Sequence, residues 1–218
     1  MNAGVPPVGE RLAHLRARIA ASGRNPDEVA IVAVTKGFGV EACRDALAAG
    51  LNMLGENRVH EALSKMDLFP TAQWHLIGHL QTNKVRLAAG RFALIQTVDS
   101  LHVAEAIARL AARQPVLVEV NVARETQRSG VYPTAALELV EAAARLLDLQ
   151  GLMAMGPSHG DPRPAFDELR LLRDAAEQRI GSPLPVLSMG MSGDFEVALA
   201  AGSTMLRLGQ ALFGPRPT

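Results

Sequence analysis

The sequence predicts a single α/β domain, a TIM (β/α)8-type barrel with an extra N-terminal helix. Three observations predict it. β-like and helical patterns alternate along 218 residues, the β-like runs number eight, and they are apolar throughout rather than alternating. Such alternation builds a parallel sheet, and strands apolar on every position are those buried on both faces. Eight units favour a closed barrel over the alternative, an open doubly wound sheet. The length suits one domain and is short for a barrel, so its loops must be tight. No linker, low-complexity tract or tandem repeat divides residues 1–218.

An amphipathic helix opens the chain over about 8–22, with Leu12, Leu15 and Ile19 at helical spacing. Gly23 and Asn25-Pro26 end it, so residues 1–28 read as a helical extension packed on the barrel. The strand-like runs follow as 29–36, 51–56, 73–78, 92–99, 115–122, 149–156, 184–190 and 204–209. Helical patterns between them include VEACRDALAAG, LHVAEAIARLAAR, PTAALELVEAAARLL, AFDELRLLRDAAEQRI and DFEVALAAG.

Composition excludes several functions. Acidic and basic residues balance at 22 each and aromatics make up 4%, which argues against a nucleic-acid surface. The single cysteine, Cys43, lies in a helical pattern and reads as packing; one thiol forms no internal disulfide, as in a reducing cytosol. The N-terminus has no apolar signal core, and no apolar run reaches about 18 residues. A soluble, cytoplasmic protein with no membrane contact is expected, a monomer or weak dimer. The only lysines are Lys36, Lys65 and Lys84.

In a barrel, loops at the C-terminal ends of the strands build the site. Lys36 directly follows an apolar strand, so its amine enters the barrel mouth. Desolvation and neighbouring cations there lower its pKa, which makes it a candidate Schiff-base nucleophile. SMGMSGD, running into the helix FEVALAAG, reads as an anion cradle, with Ser188 and Ser192 as hydroxyl donors. RLGQALFG supplies the second half through Gly209 and Gln210, and barrels often bind phosphate after strands seven and eight. Arg207 is read as a cation facing the ligand or as a structural ion pair. His79 is read as an acid/base group or a hydrogen-bonded wall residue. His75 and His79 are four apart, but on a strand and turn, so no metal site is assigned. TKGFG is not a GxGxxG dinucleotide fingerprint.

These residues carry a family resemblance over nearly the whole chain. AVTK, GENRVHE, WHLIGHLQTNK, VDSLHVA, VNVARETQRSG, GLMAMGP and LSMGMSGDFEVALAAGSTMLRLGQALFG resemble the YggS/PROSC family of pyridoxal 5′-phosphate (PLP) homeostasis proteins. RLGQALFG is similar to the RxGxxLYG segment of alanine racemases. The resemblance implies PLP as cofactor, covalently attached as a Schiff base on Lys36. It implies phosphate contacts from Ser188 or Ser192 and from the backbone around Gly190, Met191, Gly209 and Gln210. It places Arg207 near the pyridine nitrogen, and Asn57 and His79 along the cofactor wall. The family usually has a lysine or similar polar residue in VNxxxExxKSG; here the segment reads VNVARETQRSG, with Arg128.

The resemblance also bears on mechanism. An arginine at the pyridine nitrogen disfavours ring protonation and weakens the electron sink. The racemases take their opposite-face base, a tyrosine, from a second domain. This sequence reads as one barrel, and its only tyrosine, Tyr132, falls in the loop after strand five. The expectation is a non-catalytic protein that holds and releases PLP in vitamin B6 homeostasis, with PLP-dependent apo-enzymes as recipients. The alternatives are a weak PLP-dependent amino-acid racemase and a Schiff-base aldolase acting on a sugar phosphate.

Overall fold

The computed structural model describes residues 6–216. Eight parallel strands close into a barrel in chain order, with β8 paired back to β1. They are β1 Ala30–Val34, β2 Met53–Glu56, β3 Gln73–Leu76, β4 Leu94–Val98, β5 Pro115–Glu119, β6 Asp148–Met153, β7 Val186–Ser188 and β8 Met205–Leu208. Every predicted run contains one strand except that β6 begins one residue early, and each is shorter than its run. The polar residues at the run ends leave the ladder to form the rim.

The helices are α1 Val8–Ala21, α2 Val40–Ala48, α3 Val59–Met66, α4 Val85–Ala88, α5 Leu101–Ala108, α6 Pro133–Leu146, α7 Arg163–Ile180, α8 Phe195–Ala200 and α9 Gln210–Phe213. α3 and α4 carry little sequence signal. The first has Arg58 as an N-cap without a side-chain capping bond, and the second is one turn behind a 3-10 turn at Thr82–Lys84. The predicted α1 stripe is buried through Val8, Leu12, Leu15 and Ile19. It packs α1 against α2, α8 and α9, and Arg18 caps the contact, lying 4.5 Å over the Phe195 ring.

Strand residues alternate between the barrel interior and the helical shell. Inside, Val32, Leu94, Leu117, Met153 and Met205 form an apolar plug. Above it lies a buried polar layer of His75, Gln96, Ser188 and Arg207. Two larger apolar clusters fill the space between sheet and helices. The barrel interior is therefore apolar below and polar above, which puts its polar groups at the upper mouth.

Candidate functional site

Lys36 is two residues beyond the end of β1 and continues the inward face of Val32 and Val34. Burial pulls its ammonium below the ordinary lysine value; the positive charges of Arg216 and Arg207 add to this, and Glu56 opposes it. The backbone after Lys36 is tightly held. The Gly37 N–H donates to Glu61 at 3.0 Å, and the Phe38 and Phe213 rings meet with centroids 5.3 Å apart. The C-terminal segment thus lies over the loop that carries Lys36.

Lys65 explains how that loop is fixed. Its Nζ donates to Glu56 Oε1 at 2.7 Å, to Glu61 Oε1 at 3.2 Å, and to the carbonyls of Thr35 and Phe38 at 3.1 and 2.9 Å. Thr35 Oγ1 also donates to Glu56 Oε1, at 2.6 Å. Burial pushes Glu56 up while Lys65 and Thr35 pull it down; for Lys65, burial opposes its charge but the two carboxylates outweigh it. An amine among four acceptors, facing an oxygen that receives two donors, is an ammonium–carboxylate pair. Sequence reasoning flagged Lys65 only as one of three lysines and Glu56 only as a polar residue at the end of strand two, and it did not foresee their pairing. Cys43, behind this cluster, is buried, and burial raises its thiol pKa, so it packs rather than reacts.

Across the mouth, Arg207 is fully buried and held by neutral groups. One guanidinium nitrogen donates to the Ser188 carbonyl and hydroxyl at 2.8 and 2.7 Å, and the other to the Ala154 carbonyl at 2.8 Å. No carboxylate pairs with it among the described residues, so the structural ion-pair reading is replaced by a cation held on carbonyls. Burial draws it down to about 10, with Glu119 and Asp194 opposing, and it stays charged at neutral pH. The network continues in one direction. Arginine only donates, so Ser188 Oγ donates onward to Gln96 Oε1 at 2.7 Å, and Gln96 Nε2 donates to His75 Nδ1 at 2.9 Å. His75 must therefore accept as neutral imidazole, and burial lowers its pKa to about 4.

Several of the groups expected to contact phosphate already have partners within the chain. Ser188 is fully buried, and its hydroxyl is used by Arg207 and Gln96 below the rim. The Met191 N–H is taken by Asp194 Oδ1 at 2.6 Å. Gly190, at φ +98°, serves packing, since a Cβ there would lie 2.7 Å from Ala198 Cβ. Ser192 remains at the rim. Its Oγ accepts the Ala211 N–H at 3.1 Å, tying the loop after β7 to the turn at Gly209-Gln210, and its hydroxyl hydrogen has no acceptor among the described residues.

Other polar residues lie at the rim. His79 Nδ1 lies 3.0 Å from Asp99 Oδ2, which orients the imidazole. Asn57 is pressed against Gly78, where a Cβ would lie 2.3 Å from the Asn57 carbonyl. Glu119, continuing the inward face of Leu117, was not foreseen. Burial pushes its carboxyl up, helped by Asp99 and opposed by Ser129, Arg207 and His79; its Oε2 is buried without a partner. Arg128 bonds Glu125, the Gly156 carbonyl and Ser158, so it latches the loop after β5 to the loop after β6. Tyr132 is half exposed at the N-cap of α6.

Comparison with known proteins fits this geometry. Residues 10–217 match the family model "Alanine racemase, N-terminal domain". The chain is 39% identical over 222 residues to a pyridoxal phosphate homeostasis protein of Aquifex aeolicus, covering 95% of this chain and 97% of that one. The chain belongs to this family. A homeostasis protein of Escherichia coli K12 is 37% identical over 229 residues, covering 96% and 97%. Among solved structures, PipY of Synechococcus elongatus with PLP bound matches with a TM-score of 0.82 at 33% identity, covering 95% of this chain and all of that one. An alanine racemase of Clostridium difficile matches in fold, with a TM-score of 0.78 at 16% identity over 96% of this chain and 58% of that one.

Proposed function

We propose that this protein binds PLP as a Schiff base on Lys36 and acts in intracellular PLP homeostasis and supply. The observation that carries the reading is the Lys36 amine itself, half-buried two residues beyond β1 on its inward face, with its proton affinity lowered and a fixed guanidinium nearby. When bound, PLP supplies an aldehyde carbon that condenses with a lysine amine. The residues present fit such a group. Lys36 offers an amine that sheds its proton more readily than an ordinary lysine. Arg207 offers charge that its carbonyl partners leave unneutralised, suited to an unprotonated pyridine nitrogen. Ser192, with the backbone at Gly209 and Gln210, offers phosphate donors at two loops tied together. The orphaned Glu119 Oε2 offers a further polar contact inside the mouth.

The same residues support holding rather than turnover. An arginine at the pyridine nitrogen withholds the proton that fast carbanion chemistry needs. PLP-dependent apo-enzymes are the recipients under this reading. Adding PLP to the apo-protein should generate a visible absorption band that borohydride bleaches, and Lys36→Ala should abolish it. Persistence of the band in that variant would rule out Lys36 as the anchor. His79, oriented by Asp99, gives the weak-racemase reading one specific support, an imidazole set for proton transfer. Rapid loss of optical activity from L-alanine, removed by His79→Leu, would favour that reading instead.

A further inference from the structure

Beside the mouth, between the turn after β2 and the turn after β3, lies a cavity of about 660 Å³. It adjoins the rim through Asn57 and His79, but most of its lining belongs to neither the Lys36 pocket nor the phosphate loops. Arg58, His60, Glu61 and Lys84 face it, with buried Leu80 as apolar wall. The two turns cannot drift apart or together freely, because Gly78 lies flush on Asn57. The cavity is thus built between fixed walls.

Its electrostatics are unbalanced. Among the described residues, neither Arg58 nor Lys84 has a carboxylate partner, although most other basic side chains do. The one acid in the lining, Glu61, spends Oε1 on the Gly37 N–H and on Lys65. Lys84 Nζ lies 3.2 Å from His60 Nε2; an ammonium only donates, so that nitrogen accepts and His60 Nδ1–H is left as a donor. Arg58 is moreover the N-cap of α3, where a cation is disfavoured by the helix dipole. The folded chain therefore gathers a guanidinium, an ammonium and an imidazole N–H around a single carboxylate, Glu61, whose pKa the Arg58 charge helps to lower.

We propose that this cavity binds the phosphate group of a small phosphorylated molecule, at a site distinct from the loops at Ser192 and Gly209-Gln210. Two fixed cations match the nearly double charge of a phosphate monoester better than the single charge of a carboxylate, and its three oxygens can each meet one of the three donor groups. Arg58 supplies the planar fork, Lys84 the point charge and His60 the third donor. The remainder of the ligand would face Asn57 and His79, towards the mouth that Lys36 occupies. Binding is non-covalent, and no bond is made or broken.

The test uses protein loaded with PLP and reduced with borohydride, so that the Lys36 site is filled. Inorganic phosphate is titrated in calorimetrically at low ionic strength. One phosphate per chain is expected, weakened at least about tenfold in Arg58→Gln/Lys84→Gln. Arg91→Gln, which removes an exposed charge elsewhere, should leave it unchanged. Acetate should bind at least about tenfold more weakly than phosphate. No binding to the loaded protein, an equal loss in Arg91→Gln, or acetate binding as tightly would each overturn the proposal. If the double variant is misfolded by circular dichroism, Lys84→Gln alone is read by the same criteria. The proposal borrows only the loading step from the PLP reading. Should the protein fail to take up PLP, that reading fails alone, and crystals grown in phosphate still decide this one by density, or its absence, between Arg58 and Lys84.

Discussion

The two walls of the barrel mouth are built on opposite principles. On the β1–β2 side a buried lysine is neutralised by carboxylates, with Lys65 bridging Glu56 and Glu61. On the β7–β8 side a buried arginine is held by carbonyls, a serine and, through it, Gln96 and a neutral histidine. The first wall cancels its charge and spends it on fixing the loop that presents Lys36. The second keeps a net positive charge inside the protein, where it acts on whatever enters the mouth. Rigidity and field are thus assigned to different walls.

Breaking either wall should show this division, and the largest effect is expected at Lys65. Lys65→Met leaves Glu56 buried and unpaired, and should cost about 3–5 kcal/mol in urea unfolding. It should also loosen the Gly37 amide in hydrogen exchange. A loss under about 1 kcal/mol would mean that the pair is not structural.

The Arg207 wall should instead reveal itself in acid. His75 has its pKa lowered from 6.5 to about 4. The unfolded chain therefore binds the proton more readily, and stability falls as pH drops from 6.5 towards 4. The full loss, about 3 kcal/mol, is reached below pH 4. His75→Gln retains an acceptor for Gln96 and should remove this part of the acid dependence, read as the difference between the two pH–stability curves. Next in size is Ser188→Ala, expected to cost about 1–3 kcal/mol by stripping one acceptor from Arg207 and one donor from Gln96. In a double-mutant cycle with Gln96→Leu the two losses should be non-additive, since both cut one chain.

The smallest effect should be a gain. Burial disfavours the Lys36 ammonium. Below 10.5 and above its lowered folded value, the unfolded chain binds more protons, so stability rises with pH through that window. Lys36→Met should therefore stabilise the apo-protein at neutral pH, with the gain shrinking as pH rises. A destabilised variant would contradict an ammonium disfavoured by burial at Lys36.

The strands were legible in the sequence because fully buried parallel strands are uniformly apolar, and each run held its strand to within one residue. The positions of Lys36, Arg207, Gly209 and Gln210 at or just beyond the ends of β1 and β8 were legible from the boundaries of the apolar runs. Gln96 and Glu119 were not, since a polar residue within a strand gives no sign of which face it takes. Lys65 was hidden on a short helix, where a lysine normally points to water. The partners of Ser188 were hidden for a related reason. This residue ends β7 and so reads as rim, but its side chain turns inward beneath the mouth to meet an arginine from the next strand. Such partnerships join residues 19 and 92 positions apart, and no local pattern records them.

The central claim concerns one lysine among three, and covalent mapping addresses it most directly. PLP-loaded protein is reduced with borohydride, digested, and its pyridoxyl group located by mass spectrometry. The account predicts a single modified residue, Lys36, with Lys65 and Lys84 unmodified. Label on Lys65 or Lys84 with Lys36 untouched would contradict it.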